Sequence, residues 1–170
     1  MEQKTVRNPI KEDILFLLLK IGVIVSLLAI TFLFIFGVSR CSDNMMAPAV
    51  KDGDLVLYYR MKSDYHISDV VVLKKENDTQ IRRIIAQEGD VVDIRENGLI
   101  VNGYAQQETD IYTETLPYQE GIEFPITVGK GEYFVLGDNR TNAKDSRIYG
   151  TVKKEEIKGL VMTLIRRRGF

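Results

Sequence analysis

The sequence has one cysteine, one histidine and no surplus of either charge, with 23 lysines and arginines against 24 aspartates and glutamates in 170 residues. A single thiol excludes an intramolecular disulfide, and no grouping of Cys, His, Asp and Glu has metal-ligand spacing. No metal or other cofactor is expected. Near-zero net charge removes the general electrostatic case for nucleic acid. The one basic cluster, Arg166 to Arg168, is short and isolated, and it reads as a solvated tail or a contact to anionic lipid. Internal repeats, low-complexity tracts and phosphate-binding glycine loops are also missing.

Long apolar runs are equally scarce, with one exception. Ile21 to Val38 carries no charge, and eighteen helical residues cover roughly 27 Å, close to the thickness of a bilayer's hydrocarbon core. The apolar residues ahead of Lys20 can lengthen the span while the lysine snorkels. The run is too long for a cleaved signal peptide, and no small-x-small site follows it. Arg40 directly before Cys41 argues against a lipid-anchored cysteine. Residues 1–20, with Lys4, Arg7, Lys11 and Lys20, form the basic flank that predicts a cytoplasmic N-terminus. The expected organisation is therefore a cytoplasmic segment over 1–20, a transmembrane helix over 21–38 and an extracytoplasmic domain over 39–170, large enough for one hydrophobic core.

Beyond the span the period changes from helical to strand-like. Short β-rich segments occur at 55–59, 69–73, 80–86, 90–94, 99–103, 132–137 and 157–165, separated by Gly-Asp, Asn-Gly and Gly-Lys-Gly. This predicts a mainly antiparallel sheet or barrel, an all-β class. Asn97-Gly98 is the clearest hairpin signal and suits a type I′ turn. The polar stretch from Tyr104 to Thr127 has no period and reads as a long excursion.

Three stretches carry more than local physics. The first is CSDNMMAPAVKDGD, Cys41 to Asp54, immediately beyond the apolar run. The second is the strand DVVV from Asp69, followed by QIRRIIAQEGDVV from Gln80. The third is GDNRTNAKDSRIYG, Gly137 to Gly150, in which Asp138 with Arg140 and Asp145 with Arg147 are opposite charges two residues apart, able to clamp a turn. Together and in this order they resemble the signatures of type I signal peptidases. Gly137, Asp138, Asn139, Arg140, Asp145, Ser146, Arg147 and Gly150 match the last signature as they stand; Arg83, Gly89 and Asp90 match the second.

The resemblance implies a signal-peptidase-like fold, with a serine nucleophile and a neutral lysine as its base. Three positions depart from it. Counting back from Pro48, Met45 stands in the nucleophile slot, Arg82 in the lysine slot and Ala143 in the slot of the serine that hydrogen-bonds the lysine. A thioether has no proton to lose, and a guanidinium with a pKa above roughly 12 accepts none. These slots lead to the expectation of no catalytic residues and of a chain that is not an enzyme. Such a chain would be a non-catalytic chaperone or accessory factor resembling those of Gram-positive pilus assembly. The implied partners are a pilin or other secreted surface protein, its sortase machinery, and membrane lipid. Peptide-binding positions by the same resemblance are Asn44, Met46, Pro48, Ile81 and Ile84, because an added strand depends on backbone bonds that outlast the catalytic side chains.

Rival readings are a working signal peptidase with an unorthodox nucleophile, Ser42 served by Lys74 or Lys75 or Cys41 served by His66, and a purely structural membrane anchor. The tyrosines at 58, 59, 65, 104, 112 and 118 form a candidate partner surface, about half of them expected to be core or strand-face residues.

Overall fold

The computed structural model describes residues 9–166. It contains two compact units that divide after Ile35. The first is a single helix, α1, over Pro9–Ile35, long and apolar enough to cross a membrane. The helix starts earlier and ends earlier than the 21–38 span expected from the sequence. Residues 9–20 are helical, and Phe36, Gly37 and Val38 leave the helix for strand β1, Phe36–Arg40. The glycine marks the change, because its Cβ-free backbone lies against the Tyr58 ring of the neighbouring strand, where any side chain would collide. Lys4, Arg7, Arg167 and Arg168 lie outside the described residues.

The second unit holds the remaining strands and two short helical turns. After β1 come β2 (Leu55–Tyr59), β3 (Val70–Lys75), β4 (Asp78–Gln87), β5 (Val91–Arg95), β6 (Gly98–Val101), β7 (Tyr104–Ala105), β8 (Ile126–Thr127), β9 (Glu132–Leu136), β10 (Val152–Lys153) and β11 (Ile157–Ile165). A four-residue helix, α2 (Ser146–Tyr149), and a 3-10 turn, Lys154–Glu156, precede β10 and β11 respectively. Seven strands pair in the order β1-β2-β11-β3-β4-β9-β10, and four more in the order β7-β6-β5-β8. Every pairing is antiparallel. The chain is thus mostly antiparallel β-sheet with an N-terminal apolar helix, as its strand-period segments require.

β4 is central to both structure and site. It is long, it contacts β3 on one side and β9 on the other, and its register shift between Ile84 and Ala86 lets it reach the cores on both sides of the bulge, with Ile81 feeding a third. Ile85 and Ala86 pack with Val92, Ile94, Leu99, Val101 and Phe134 beneath the smaller sheet. Ile84 packs with Tyr65, Val71, Leu73 and Val135. Ile81 joins Cys41, Met46, Val50, Val56 and Val72 in a third cluster beneath the 41–50 loop.

The β5–β6 hairpin forms where Asn-Gly predicted it, but one residue earlier. Arg95 pairs with Gly98, so Glu96 and Asn97 are the loop, and neither has positive φ. Gly98 takes φ 102° as the first residue of β6. The glycine supplies its left-handed freedom to the strand's first step rather than to a type I′ turn.

Candidate active site

The loop over 41–50 connects β1 to β2 and is tied at its base. Cys41 donates its backbone N–H to the Asp54 carbonyl at 2.8 Å, and Gly53 donates to the Cys41 carbonyl at 2.9 Å. Within the loop, Asp43 Oδ1 accepts the Met45 N–H at 2.8 Å and the Met46 carbonyl accepts the Val50 N–H at 2.9 Å. Met46 and Val50 anchor the loop in the third core cluster. Met45 is held half-buried beside it.

The Gly137–Gly150 segment closes over this loop. Asn139 donates its backbone N–H to the Met45 carbonyl at 3.0 Å, and its side-chain amide donates to the Asn44 carbonyl at 3.3 Å. Gly137 makes the approach possible: a Cβ there would stand 2.5 Å from the Ala143 Cβ and 2.6 Å from the Met45 carbonyl oxygen.

Arg82 lies at the centre and is fully buried. Its Nε and Nη2 donate to the Lys144 carbonyl at 3.0 and 2.8 Å, and its Nη1 donates to the Ile81 carbonyl at 2.6 Å. Nη2 also donates to the Met45 sulfur at 2.9 Å. The same sulfur accepts the backbone N–H of Lys144 at 3.3 Å. The half-buried Tyr149 lies against the guanidinium; burial drives its phenol pKa well above the ordinary value, and Arg82 only partly offsets this. The phenol is a neutral donor, bonding Gln80 Oε1 at 3.2 Å. The residues in the nucleophile and base slots, Met45 and Arg82, are therefore in direct contact, 37 positions apart in sequence.

Ala143 is buried in the same seam. Its methyl group offers no hydrogen bond, and its backbone is held by Tyr118, whose hydroxyl lies 3.1 Å from both the Ala143 N–H and carbonyl. Met45 and Arg82 touch, and Ala143 directly precedes Lys144, whose carbonyl Arg82 binds. The five expected peptide-binding positions divide. Asn44 and Pro48 are exposed on the loop, whereas Met46, Ile81 and Ile84 are core side chains. Those three belong to the support of the site, because the apolar periodicity that suggested a groove wall also describes a buried strand face.

The charge pairs of the last segment are half as expected. Asp145 and Arg147 form a fully buried clamp: Nε and Nη2 reach the two carboxylate oxygens at 2.9 and 2.8 Å. Asp138 and Arg140 do not pair. Asp138 takes a bidentate bond from Arg83 on β4, at 2.8 and 2.6 Å, while Arg140 turns inward to the Gly137 carbonyl, Thr115 and Glu108. The physical cause is the ladder, since β4 brings Arg83 opposite Leu136, two residues before Asp138. The hydrogen bond to Asp138, with that carboxylate's charge, raises the Arg83 pKa and outweighs the burial that lowers it, so the guanidinium is held more firmly charged than usual.

The excursion is organised by these arginines, a role that no local signal in the chain announces. Arg147 donates to the Leu116 carbonyl at 3.0 Å and stacks on the Tyr118 ring, 4.4 Å from its centroid. Ser146, another matched position, accepts the Val135 N–H at 3.0 Å and so fixes α2 against β9. The rival nucleophiles are not assembled. Ser42 is exposed; Lys75 is engaged by Glu156 at 3.1 Å and lies over the Tyr149 ring. Cys41 is buried, donates to the Asp43 carbonyl at 3.2 Å and has its thiol pKa raised by burial, while His66 is exposed beside Asp69. Of the tyrosines, Tyr58 and Tyr65 are core, Tyr59 and Tyr118 are half-buried, and Tyr104 and Tyr112 are exposed.

The family description "Signal peptidase, peptidase S26" matches residues 14–165, spanning the helix, the loop, β4 and the last segment. The chain belongs to the signal peptidase S26 family. Among curated relatives, Signal peptidase IB of Staphylococcus aureus (strain COL) is 30% identical over 170 residues, covering 89% of this chain and 88% of that protein. Thylakoidal processing peptidase 1, chloroplastic, of Arabidopsis thaliana is 36% identical over 135 residues, covering 69% of this chain and 38% of that protein's length. A crystal structure of a signal peptidase I from Enterococcus faecalis V583 is 26% identical, with a TM-score of 0.48, covering 58% of this chain and 97% of that one. With its apolar helix, this family member is membrane-anchored. The expectation that the chain is not an enzyme is overturned: the family and these relatives are named as peptidases. Three side chains judged in isolation do not decide an activity that a fold can support with other groups.

Proposed function

We propose that this membrane-anchored member of the signal peptidase family acts on exported polypeptides, receiving an extended segment of its client beside the 41–50 loop. The observation that carries the reading is the contact between Met45 and Arg82, in the place where the family resemblance puts its reacting pair, with the surrounding backbone seam fully formed. An extended peptide binds such a site through main-chain bonds, which depend little on the side chains at the slots. Asn44 and Pro48 form the exposed rim of the loop. The basic residues before the span support a cytoplasmic N-terminus and an extracytoplasmic domain. Exported surface proteins, a pilin among them, are the client class. In this geometry Met45 supplies no nucleophile and Arg82 accepts no proton.

The test places a photo-crosslinking residue at Asn44 or at Pro48 in the full chain in membranes, with co-expressed exported proteins as clients. The expected result is a crosslink to the extended segment of the client near its membrane-proximal end, and the same gel reports any cleaved product. Absence of crosslinks at both positions, with crosslinks from a control position on β5, would overturn the reading.

A further inference from the structure

Two donors converge on one poor acceptor at the centre of the site. Arg82 Nη2 and the Lys144 backbone N–H reach the Met45 sulfur at 2.9 and 3.3 Å. A thioether is a weak acceptor, whereas a guanidinium N–H and a backbone N–H aimed at one point suit a carboxylate oxygen. Arg82 is fully buried. Among the described residues no carboxylate lies within ion-pair distance of it, unlike Arg83, Arg140 and Arg147, each of which has one. Its other partners are neutral, the carbonyls of Ile81 and Lys144 and the Tyr149 phenol. A buried cation compensated only by neutral groups leaves the site with unused affinity for an anion. The half-buried Met45 side chain fills the position that the anion would take, and it is unbranched and flexible enough to swing aside.

We propose that Arg82 and the Lys144 N–H form a carboxylate-binding cradle, plugged by Met45 in the free protein and opened when a client's carboxylate displaces the thioether. This rests on the reading that a polypeptide enters beside the 41–50 loop, and it names what the site grips. The carboxylate comes either from a peptide's C-terminus or from an aspartate or glutamate side chain. Lys144, exposed at the same point, lends its own charge to the approach.

The experiment measures binding of fluorescent peptides to the full-length protein in detergent micelles. Three versions of one short Ala/Val-rich sequence are used: a free C-terminal acid, its C-terminal amide, and the amide with a glutamate in the last position. A charge-assisted bond contributes enough to separate acid from amide by about ten-fold or more in Kd. If the acid alone is favoured, the source is a C-terminus; if the glutamate amide matches the acid, a side chain serves. In either case Arg82→Gln should abolish the preference. Because Arg82 is buried and its replacement can unfold the chain, Met45→Ala provides a second reading. With the plug removed, the acid should bind several-fold tighter and the amide should not. Equal binding of all three peptides to the wild type, or no acid-specific gain in Met45→Ala, overturns the cradle and leaves the groove reading standing. Failure of every peptide to bind overturns both.

Discussion

Replacing Asp145 with alanine removes the most heavily hydrogen-bonded carboxylate among the described residues. It is fully buried and accepts four hydrogen bonds: from Arg147 Nε, Nη2 and backbone N–H, and from the Gly137 N–H at 3.1 Å. It is also the N-cap of α2. Removal leaves the Arg147 guanidinium buried without its counter-charge, a change that costs about 3–5 kcal/mol where one partner of a buried pair is deleted. The lost cap and the unpaired Gly137 N–H fall on the same atoms, so their costs of about 1 kcal/mol each are not simply additive. At roughly 3–5 °C per kcal/mol for a domain of this size, Tm should fall by about 10–20 °C. Thermal circular dichroism of the full chain in detergent measures it. The double variant Asp145→Leu with Arg147→Met should lose distinctly less, because no uncompensated charge remains. A fall in Tm under about 3 °C for Asp145→Ala, or a double variant worse than the single, would refute the assignment of this clamp as a charge-compensated core element.

Four further outcomes follow from the same contacts. Arg82→Lys should destabilise by about 1–3 kcal/mol in denaturant unfolding, since an ammonium cannot reach the Lys144 and Ile81 carbonyls and the Met45 sulfur together. Gly137→Ala should weaken crosslinking of clients at Asn44 along with stability, because the added Cβ forces the loop and the last segment apart. Asp69 accepts from Lys62 and from the His66 N–H; burial raises its pKa, but these bonds outweigh it and hold the folded pKa below the ordinary 3.8. That stability is present above pH 3.8 and is lost as pH falls toward the depressed value, so Asp69→Asn should flatten the acid limb of a Tm-versus-pH curve. Tyr149 works at the other end. Its folded pKa is raised by burial, so the native state loses stability as pH climbs past 10, where the unfolded phenol ionises, and Tyr149→Phe should blunt that loss.

The sequence disclosed the strands well wherever alternation and β-branched residues ran for five residues or more. β2 and β11 occupy the residues expected of them, because Leu55–Tyr59 and Ile157–Ile165 carry their own signal. The two-residue strands β7, β8 and β10 carry too few residues to show a period, and they exist through their partners. β1 was hidden inside the apolar run, whose composition suits a membrane helix and a buried strand alike. In the site, motif spacing singled out Met45 and Arg82, which the fold brings into contact. It could not pair charges across elements: Asp138 looked nearest to Arg140 along the chain, yet the strand ladder delivers Arg83. Nor could it separate Met46, Ile81 and Ile84 from a binding wall, since core and groove use the same apolar residues.

The strand order carries a consequence for when the site can assemble as the chain folds. The hairpin of β1 and β2 joins the rest of the larger sheet only through β11, which inserts between β2 and β3. The loop bearing Met45 lies in that hairpin, and Arg82 lies beyond β3. Made from the N-terminus, the chain holds the two halves of its site on separate pieces of sheet until β11 arrives to bridge them. An unfinished molecule therefore has no assembled centre until the hairpin of β1 and β2 and the last strand have zipped together.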